Sequence, residues 1–128
     1  MNRATFFLFV GLGVVFWFVA ALIVRFGGTA VFTENNPRLI WFYLLAIPLT
    51  VGFLFIAKTL ARLRYSDLLK PVVIMTFTAA FLDGIALAWF RQLYSQSVEV
   101  ALHGAALILW GVGLGLLFAF YLDSRARS

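Results

Sequence analysis

The chain has 128 residues, of which 64% are hydrophobic and only 12% are charged. An average soluble domain carries about 25% charged residues, so this composition leaves too little polar surface for a water-soluble fold. The absence of cysteine excludes disulfide bonds and thiolate metal sites. The net charge of +5 does not require a nucleic-acid partner, because basic residues in the loops of a membrane protein also set its orientation.

Four apolar runs follow one another along the chain, each about as long as a helix that crosses a hydrocarbon core of roughly 30 Å. Helices satisfy their own backbone hydrogen bonds inside lipid, and the period-2 alternation typical of membrane barrels is absent. The sequence therefore predicts an all-α polytopic membrane protein. We expect residues 1–128 to form a single four-helix transmembrane domain with spans at about 5–24, 39–57, 71–90 and 100–122.

The first run, 5–24, contains no charged residue and ends at Arg25. The segment 28–30, Gly-Thr-Ala, resembles a signal-peptide cleavage site. The run is nevertheless longer than the roughly 7–15 residues of a signal-peptide core, which favours a retained span.

The second run, 39–57, carries Pro48 near its middle. Proline has no backbone N–H, so the carbonyl of Leu44 loses its helical partner. The sequence therefore predicts a kink at Pro48.

The third run contains a carboxylate, Asp83, within the otherwise uncharged stretch 77–90. An Asp at the centre of a membrane helix costs about 2.5–3.5 kcal/mol on insertion scales, so the protein must supply a partner. Thr76 shares the helical face of Asp83. We expect this face to be buried against another helix.

Three donors begin at a depth compatible with Asp83. His103 lies about one turn into the fourth run, and Tyr43 lies one turn into the second. Arg91 is two turns further along the third helix and would have to fold back. The sequence therefore predicts His103 as the first partner and Tyr43 as the second.

Small residues at four-residue spacing predict close helix contacts, because they let two backbones approach. Ala80 and Gly84 form such a pair beside Asp83. Gly104, Gly111 and Gly115 form a second stripe on the fourth helix, which predicts a contact within the bundle or across a dimer.

The basic residues predict the orientation in the membrane. Seven of the ten lie at the N-terminus, in the 58–70 connection or at the C-terminus, which four spans place on one side. Short basic segments stay cytoplasmic, so both termini are expected inside. Tyrosine and tryptophan at span ends support this assignment, namely Trp41, Tyr43, Trp89 and Tyr94 on the outer side and Tyr65 and Tyr121 on the inner side. Trp17 and Trp110 fall in mid-span.

The third span, with Phe-Leu-Asp at 81–83 followed by Gly-Ile-Ala-Leu-Ala-Trp-Phe at 84–90, resembles a family of small bacterial membrane proteins of unknown function. That family has four spans and a Leu-Asp pair in its third helix. The resemblance implies a bacterial cytoplasmic membrane location and marks Leu82 and Asp83 as signature positions. It implies no activity. The small multidrug transporters have a similar size, but they carry a glutamate in the first span, which this chain lacks.

Two functions remain open at this stage. A structural or accessory role in the lipid bilayer, alone as a homo-oligomer or within a larger membrane complex, would use Asp83 as a hydrogen-bonding group. An oligomeric proton- or cation-linked transporter or channel would use Asp83 as the carrier site. Catalysis, a metal site and a cofactor are not expected, because His103 is the only histidine and the serines lie outside the apolar runs.

Overall fold

Four long helices form the domain in residues 3–127, which are the residues that the computed structural model describes. They are α1 (Arg3–Val31), α2 (Pro37–Ala61), α3 (Leu69–Trp89) and α4 (Val98–Arg127). Each contains a stretch long and apolar enough to cross a membrane, and the described residues contain no strand. The predicted all-α, four-helix, multi-pass membrane fold is confirmed. The helices run several residues beyond most predicted span ends, because helical backbone continues after the apolar segment stops.

The connections between helices are short and contain recognisable helix-terminating residues. Gly28 interrupts α1 with φ 49° and ψ −144°, a conformation that a residue with a Cβ rarely adopts. Asn36 caps α2, its side chain accepting a hydrogen bond from the Arg38 N–H at 2.9 Å, and Pro37 occupies the first turn. Arg62 ends α2 in the left-handed region.

α1 packs most extensively against α3, and α4 packs to a similar extent against α2 and α3. One end of the bundle holds the end of α1, the start of α2 and the 90–97 connection, and we call it the Tyr94 end. The opposite end holds the start of α1, the 62–68 connection and the end of α4, and we call it the basic end. Each end has its own cluster of buried hydrophobic side chains.

Among the glycines, Gly13 and Gly104 make the tightest approaches to another helix. A Cβ at Gly13 would lie 2.8 Å from the Met75 carbonyl oxygen of α3. A Cβ at Gly104 would lie 2.5 Å from a methyl group of Val24 on α1. Glycine is therefore required sterically at both positions, of which the sequence predicted only Gly104.

The other small residues predicted to mediate packing lie elsewhere. Ala80 and Gly84 are exposed on the outside of α3, and no atom lies within 4 Å of a Cβ placed at Gly84. Gly111 likewise meets nothing within 4 Å, and Gly115 makes only an ordinary contact, at 3.8 Å, with Thr50. The prediction of close packing within this chain is wrong for Ala80 and Gly84, because another face of α3 points inward. Gly111 and Gly115 face the bundle, but they line a small cavity there and make no close contact.

Pro48 lies within α2, which continues through it as one helix. The side chain is exposed, so the pyrrolidine ring faces away from the other helices. The kink remains a prediction.

Candidate functional site around Asp83

Asp83 lies on the buried face of α3, 7% exposed, and not toward the lipid. This face carries side chains one turn apart, and Ala79 and Ala86 lie about one turn before and after the carboxyl. Because both neighbours are small, space remains beside Asp83 for a side chain from another part of the protein. The expected burial of Asp83 is confirmed, although Ala80, expected on the same face, is exposed.

The residue that fills this space is Tyr94, from the connection between α3 and α4. A single 3-10 turn at Arg91–Leu93 reverses the chain, with the Tyr94 N–H bonded to the Arg91 carbonyl at 2.9 Å. The turn directs the Tyr94 side chain back into the bundle, where it is fully buried. Its hydroxyl donates a hydrogen bond to Asp83 Oδ1.

A third side chain completes the cluster from α1. Trp17 donates its indole Nε1–H to the Tyr94 hydroxyl oxygen at 3.0 Å. An indole nitrogen can only donate a hydrogen bond, so the tyrosine oxygen accepts from Trp17. The tyrosine O–H in turn donates a hydrogen bond to the Asp83 carboxyl. The polar cluster Trp17–Tyr94–Asp83 therefore joins α1, the 90–97 connection and α3.

The electrostatics favour this direction of donation. Burial raises the pKa of the Tyr94 hydroxyl, and the hydrogen bond to Asp83 raises it further. The hydroxyl thus keeps its proton at physiological pH and remains a donor. Within residues 3–126, no buried side-chain nitrogen or oxygen lacks a hydrogen-bond partner.

Two further hydrogen bonds join segments at the Tyr94 end. Arg25, near the end of α1, donates from Nη1 to the Gln92 carbonyl at 3.1 Å. This bond holds the 90–97 connection to α1 at the surface, as Trp17 does in the interior. Glu99, in the first turn of α4, accepts the Glu34 N–H at 2.8 Å, which joins α4 to the connection between α1 and α2.

The structure corrects the predicted partners of Asp83. His103 is half-buried on α4, and no hydrogen bond joins it to Asp83 among the described side chains. Tyr43 contacts Trp110 instead: the rings lie 5.5 Å apart, and the Tyr43 carbonyl accepts the Trp110 Nε1–H at 3.0 Å. The prediction of His103 and Tyr43 as partners of Asp83 was wrong. The partner is Tyr94, which comes from a connection that folds inward and not from a neighbouring helix.

Thr76 belongs to a different place in the bundle. With Thr50 it lines a small cavity of about 30 Å³ whose other walls are mostly apolar. A cavity of this size is large enough to hold a water molecule but far too small for a continuous water-filled path. In the part of the chain that the structure describes, no group of three or more His, Asp or Glu side chains is placed to hold a metal ion.

The sequence contained two signals for the cluster that pattern analysis did not connect. Trp17 lies in mid-span, where its indole N–H requires an acceptor because lipid offers none. Tyr94 lies eleven residues after Asp83 and resembles an ordinary interfacial aromatic residue. The two residues meet only because the turn at 91–93 directs the Tyr94 side chain back into the bundle, next to Trp17.

Comparison of the chain with protein-family profiles, curated proteins and solved structures finds no match. The class of protein that the fold defines is a four-helix, multi-pass membrane protein. The resemblance drawn from Leu82 and Asp83 stays a prediction.

Proposed function

We propose that the protein is a small non-catalytic membrane component with a structural or accessory role. The observation that carries the proposal is the buried cluster in which Asp83 accepts from Tyr94 and Tyr94 accepts from Trp17. A carboxyl engaged in this way links three separate segments of the chain. Such a link explains why an acidic residue is kept in a membrane helix despite the cost of its burial.

The surroundings of the cluster support this role over catalysis. Hydrolytic chemistry requires a nucleophile, a base and an orienting group within reach of one another. His103, the only histidine, forms no hydrogen bond with another described side chain. The proposal therefore assigns no reaction to the protein.

A transport function is the second candidate, in which an oligomer moves protons or cations by way of Asp83. The observation that favours it is the pair Thr50 and Thr76. Their side chains line a cavity that lies closer to the basic end than Asp83 does. Intramembrane carboxyls commonly serve ion pathways. The cavity is closer to the volume of one water molecule than to that of a water-filled path, which weighs toward the structural role.

The experiment that separates the two candidates is an ion-flux assay in liposomes with the wild type and Asp83→Asn. Asparagine keeps an acceptor oxygen of similar shape but does not titrate near neutral pH. The structural role predicts no proton or cation flux from pH 5 to pH 8 in either protein. A pH-dependent flux that Asp83→Asn abolishes would reject the structural role in favour of transport.

The proposal includes a location and an orientation. We assign the protein to a bacterial cytoplasmic membrane with both termini inside, so that the basic end faces the cytoplasm. Reporter fusions after residues 35 and 96 are expected to report the outside, and fusions after residues 64 and 128 the inside. A cytoplasmic signal from the fusion after residue 35 would contradict the orientation.

An accessory role requires association with a second copy or with a larger membrane complex. Ala80 and Gly84, exposed on α3, supply a surface on which another helix could approach closely. Purification in nanodiscs, followed by measurement of mass and of co-purifying proteins, tests this part of the proposal. Ala80→Leu with Gly84→Leu is expected to release the associated chain and leave the monomer folded, and a strictly monomeric wild type with no co-purifying protein would contradict it.

A further inference from the structure

An apolar groove of about 200 Å³ lies between α2 and α4 at the basic end. Side chains at one-turn spacing form its two sides, Val51, Phe55 and Lys58 on α2 and Phe118, Tyr121 and Leu122 on α4. Leu54 and Leu68 are buried and close its inner side. Phe55 and Tyr121 are about half exposed, so the groove opens toward the lipid.

Two cations lie at the end of this groove that is nearest to the membrane surface. The Lys58 ammonium lies 4.5 Å from the centre of the Tyr65 ring. The Arg125 guanidinium lies 5.9 Å from the centre of the Tyr121 ring. Both tyrosines line the groove, so the aromatic rings hold the positive charges beside its mouth.

The residues lining the groove include no carboxylate. Of the acidic residues nearby, Asp67 is paired with Arg64 at 3.3 Å, and Asp123 lines a neighbouring cavity with Thr5. The lining of the groove therefore combines one basic side chain, Lys58, with an apolar interior, and a second basic side chain, Arg125, lies over the Tyr121 ring beside it. An anionic phospholipid has the complementary arrangement, because its phosphate is joined to two acyl chains.

We propose that this groove binds an anionic glycerophospholipid. One acyl chain lies along Val51 and Phe55, and the phosphate lies between Lys58 and Arg125. Basic pockets between membrane helices are known to select such headgroups on the cytoplasmic side. This site is separate from the Asp83 cluster and does not depend on the role proposed for it.

The first test compares lipids on the wild-type chain. Native mass spectrometry of the purified full-length protein is carried out with added dioleoylphosphatidylglycerol or dioleoylphosphatidylcholine, which differ in headgroup charge but not in acyl chains. We expect a preference of about tenfold for the anionic lipid, because each basic side chain near the surface contributes several-fold. Equal retention of the two lipids would overturn the proposal.

The second test assigns the preference to the groove. Lys58→Gln with Arg125→Gln is expected to abolish it. The matched control, Arg62→Gln with Lys70→Gln, removes the same charge at the same end of the bundle and is expected to retain it. An equal loss in the two double variants would show that only the net charge matters and would overturn the proposal.

A third variant tests the acyl-chain contact without changing a charge. Val51→Phe fills the groove and is expected to reduce retention of the anionic lipid severalfold. Val19→Phe, at an exposed position of α1, is the control for the added ring and is expected to have no effect. Unchanged retention in a folded Val51→Phe protein would exclude the groove as the acyl-chain site.

Discussion

Two of the helix contacts in this small bundle, α1 with α3 and α2 with α4, are made by different means. α1 and α3 approach at backbone distance, at Gly13 and Met75, and share the polar cluster Trp17–Tyr94–Asp83. α2 and α4 are joined by the Tyr43–Trp110 ring contact and leave an apolar groove between them. One pair is tightly packed around small residues, and the other is more open and aromatic.

The difference shows what a glycine contributes in a membrane helix. Gly13 meets the backbone of another helix, whereas Gly111 on α4 meets no atom within 4 Å. The residue type is the same, and only the neighbour differs. Glycine spacing therefore predicts where close packing is possible, and the distance to the neighbouring helix decides where it occurs.

The largest expected effect is at the backbone contact of the tight pair. Gly13→Leu should destabilise the protein by about 3 kcal/mol, because the side chain would collide with the Met75 carbonyl and with Thr78. Gly111→Leu should cost less than about 1 kcal/mol. Unfolding free energies in mild detergent measure both, and equal costs would remove the distinction between the pairs.

The next effect concerns the carboxyl of the tight pair. Asp83→Leu should cost about 2 kcal/mol, because the buried Tyr94 hydroxyl is left without an acceptor. Asp83→Asn should retain most of the stability, since its amide oxygen accepts the same hydrogen bond. The same unfolding measurements compare the two variants. An Asp83→Asn protein as unstable as Asp83→Leu would show that the charge of the carboxylate, and not its role as a hydrogen-bond acceptor, is required.

A smaller effect is expected from titration of Tyr94. The pKa of Tyr94 is raised in the folded protein. Its contribution to the free energy of unfolding is therefore complete below pH of about 10, the ordinary pKa of tyrosine, and is lost progressively at higher pH. At pH 8, Tyr94→Phe should be less stable than the wild type by about 1 kcal/mol.

The measurement for Tyr94 is the difference in unfolding free energy between the two proteins from pH 8 to pH 11.5. That difference should narrow above pH of about 10. A difference that stays constant over this range would contradict the assignment of Tyr94 as the buried donor.

The smallest effect is expected in the open pair. Trp110→Phe removes an exposed hydrogen bond to the Tyr43 carbonyl but keeps a ring in place, so it should cost about 0.5 kcal/mol. Trp17→Phe removes a hydrogen bond to the buried Tyr94 hydroxyl and should cost at least twice as much. Thermal unfolding of the two variants side by side tests this ranking of stability losses. A larger loss in Trp110→Phe than in Trp17→Phe would contradict it.

The fold was largely predictable because span length, apolar composition and the internal backbone requirement in lipid leave few alternatives. Asp83 was recognisable as a buried polar position for the same reason, since lipid solvates a carboxyl poorly.

The partner of Asp83 was not predictable, because Tyr94 reaches it through a 3-10 turn that hydrophobic periodicity does not reveal. The packing role of Gly13 was also hidden. Gly11 lies two residues earlier on the same helix, and only the orientation of α1 against α3 distinguishes them.

The central claim is that the hydrogen bond between Tyr94 and Asp83 holds the 90–97 connection to α3. A double-mutant cycle of Tyr94→Phe and Asp83→Ala, followed by unfolding free energy in detergent at pH 7, tests it most directly. The account predicts a coupling of about 1–2 kcal/mol, so that the second substitution costs little once the first is made. Fully additive costs, with a coupling near zero, would contradict it.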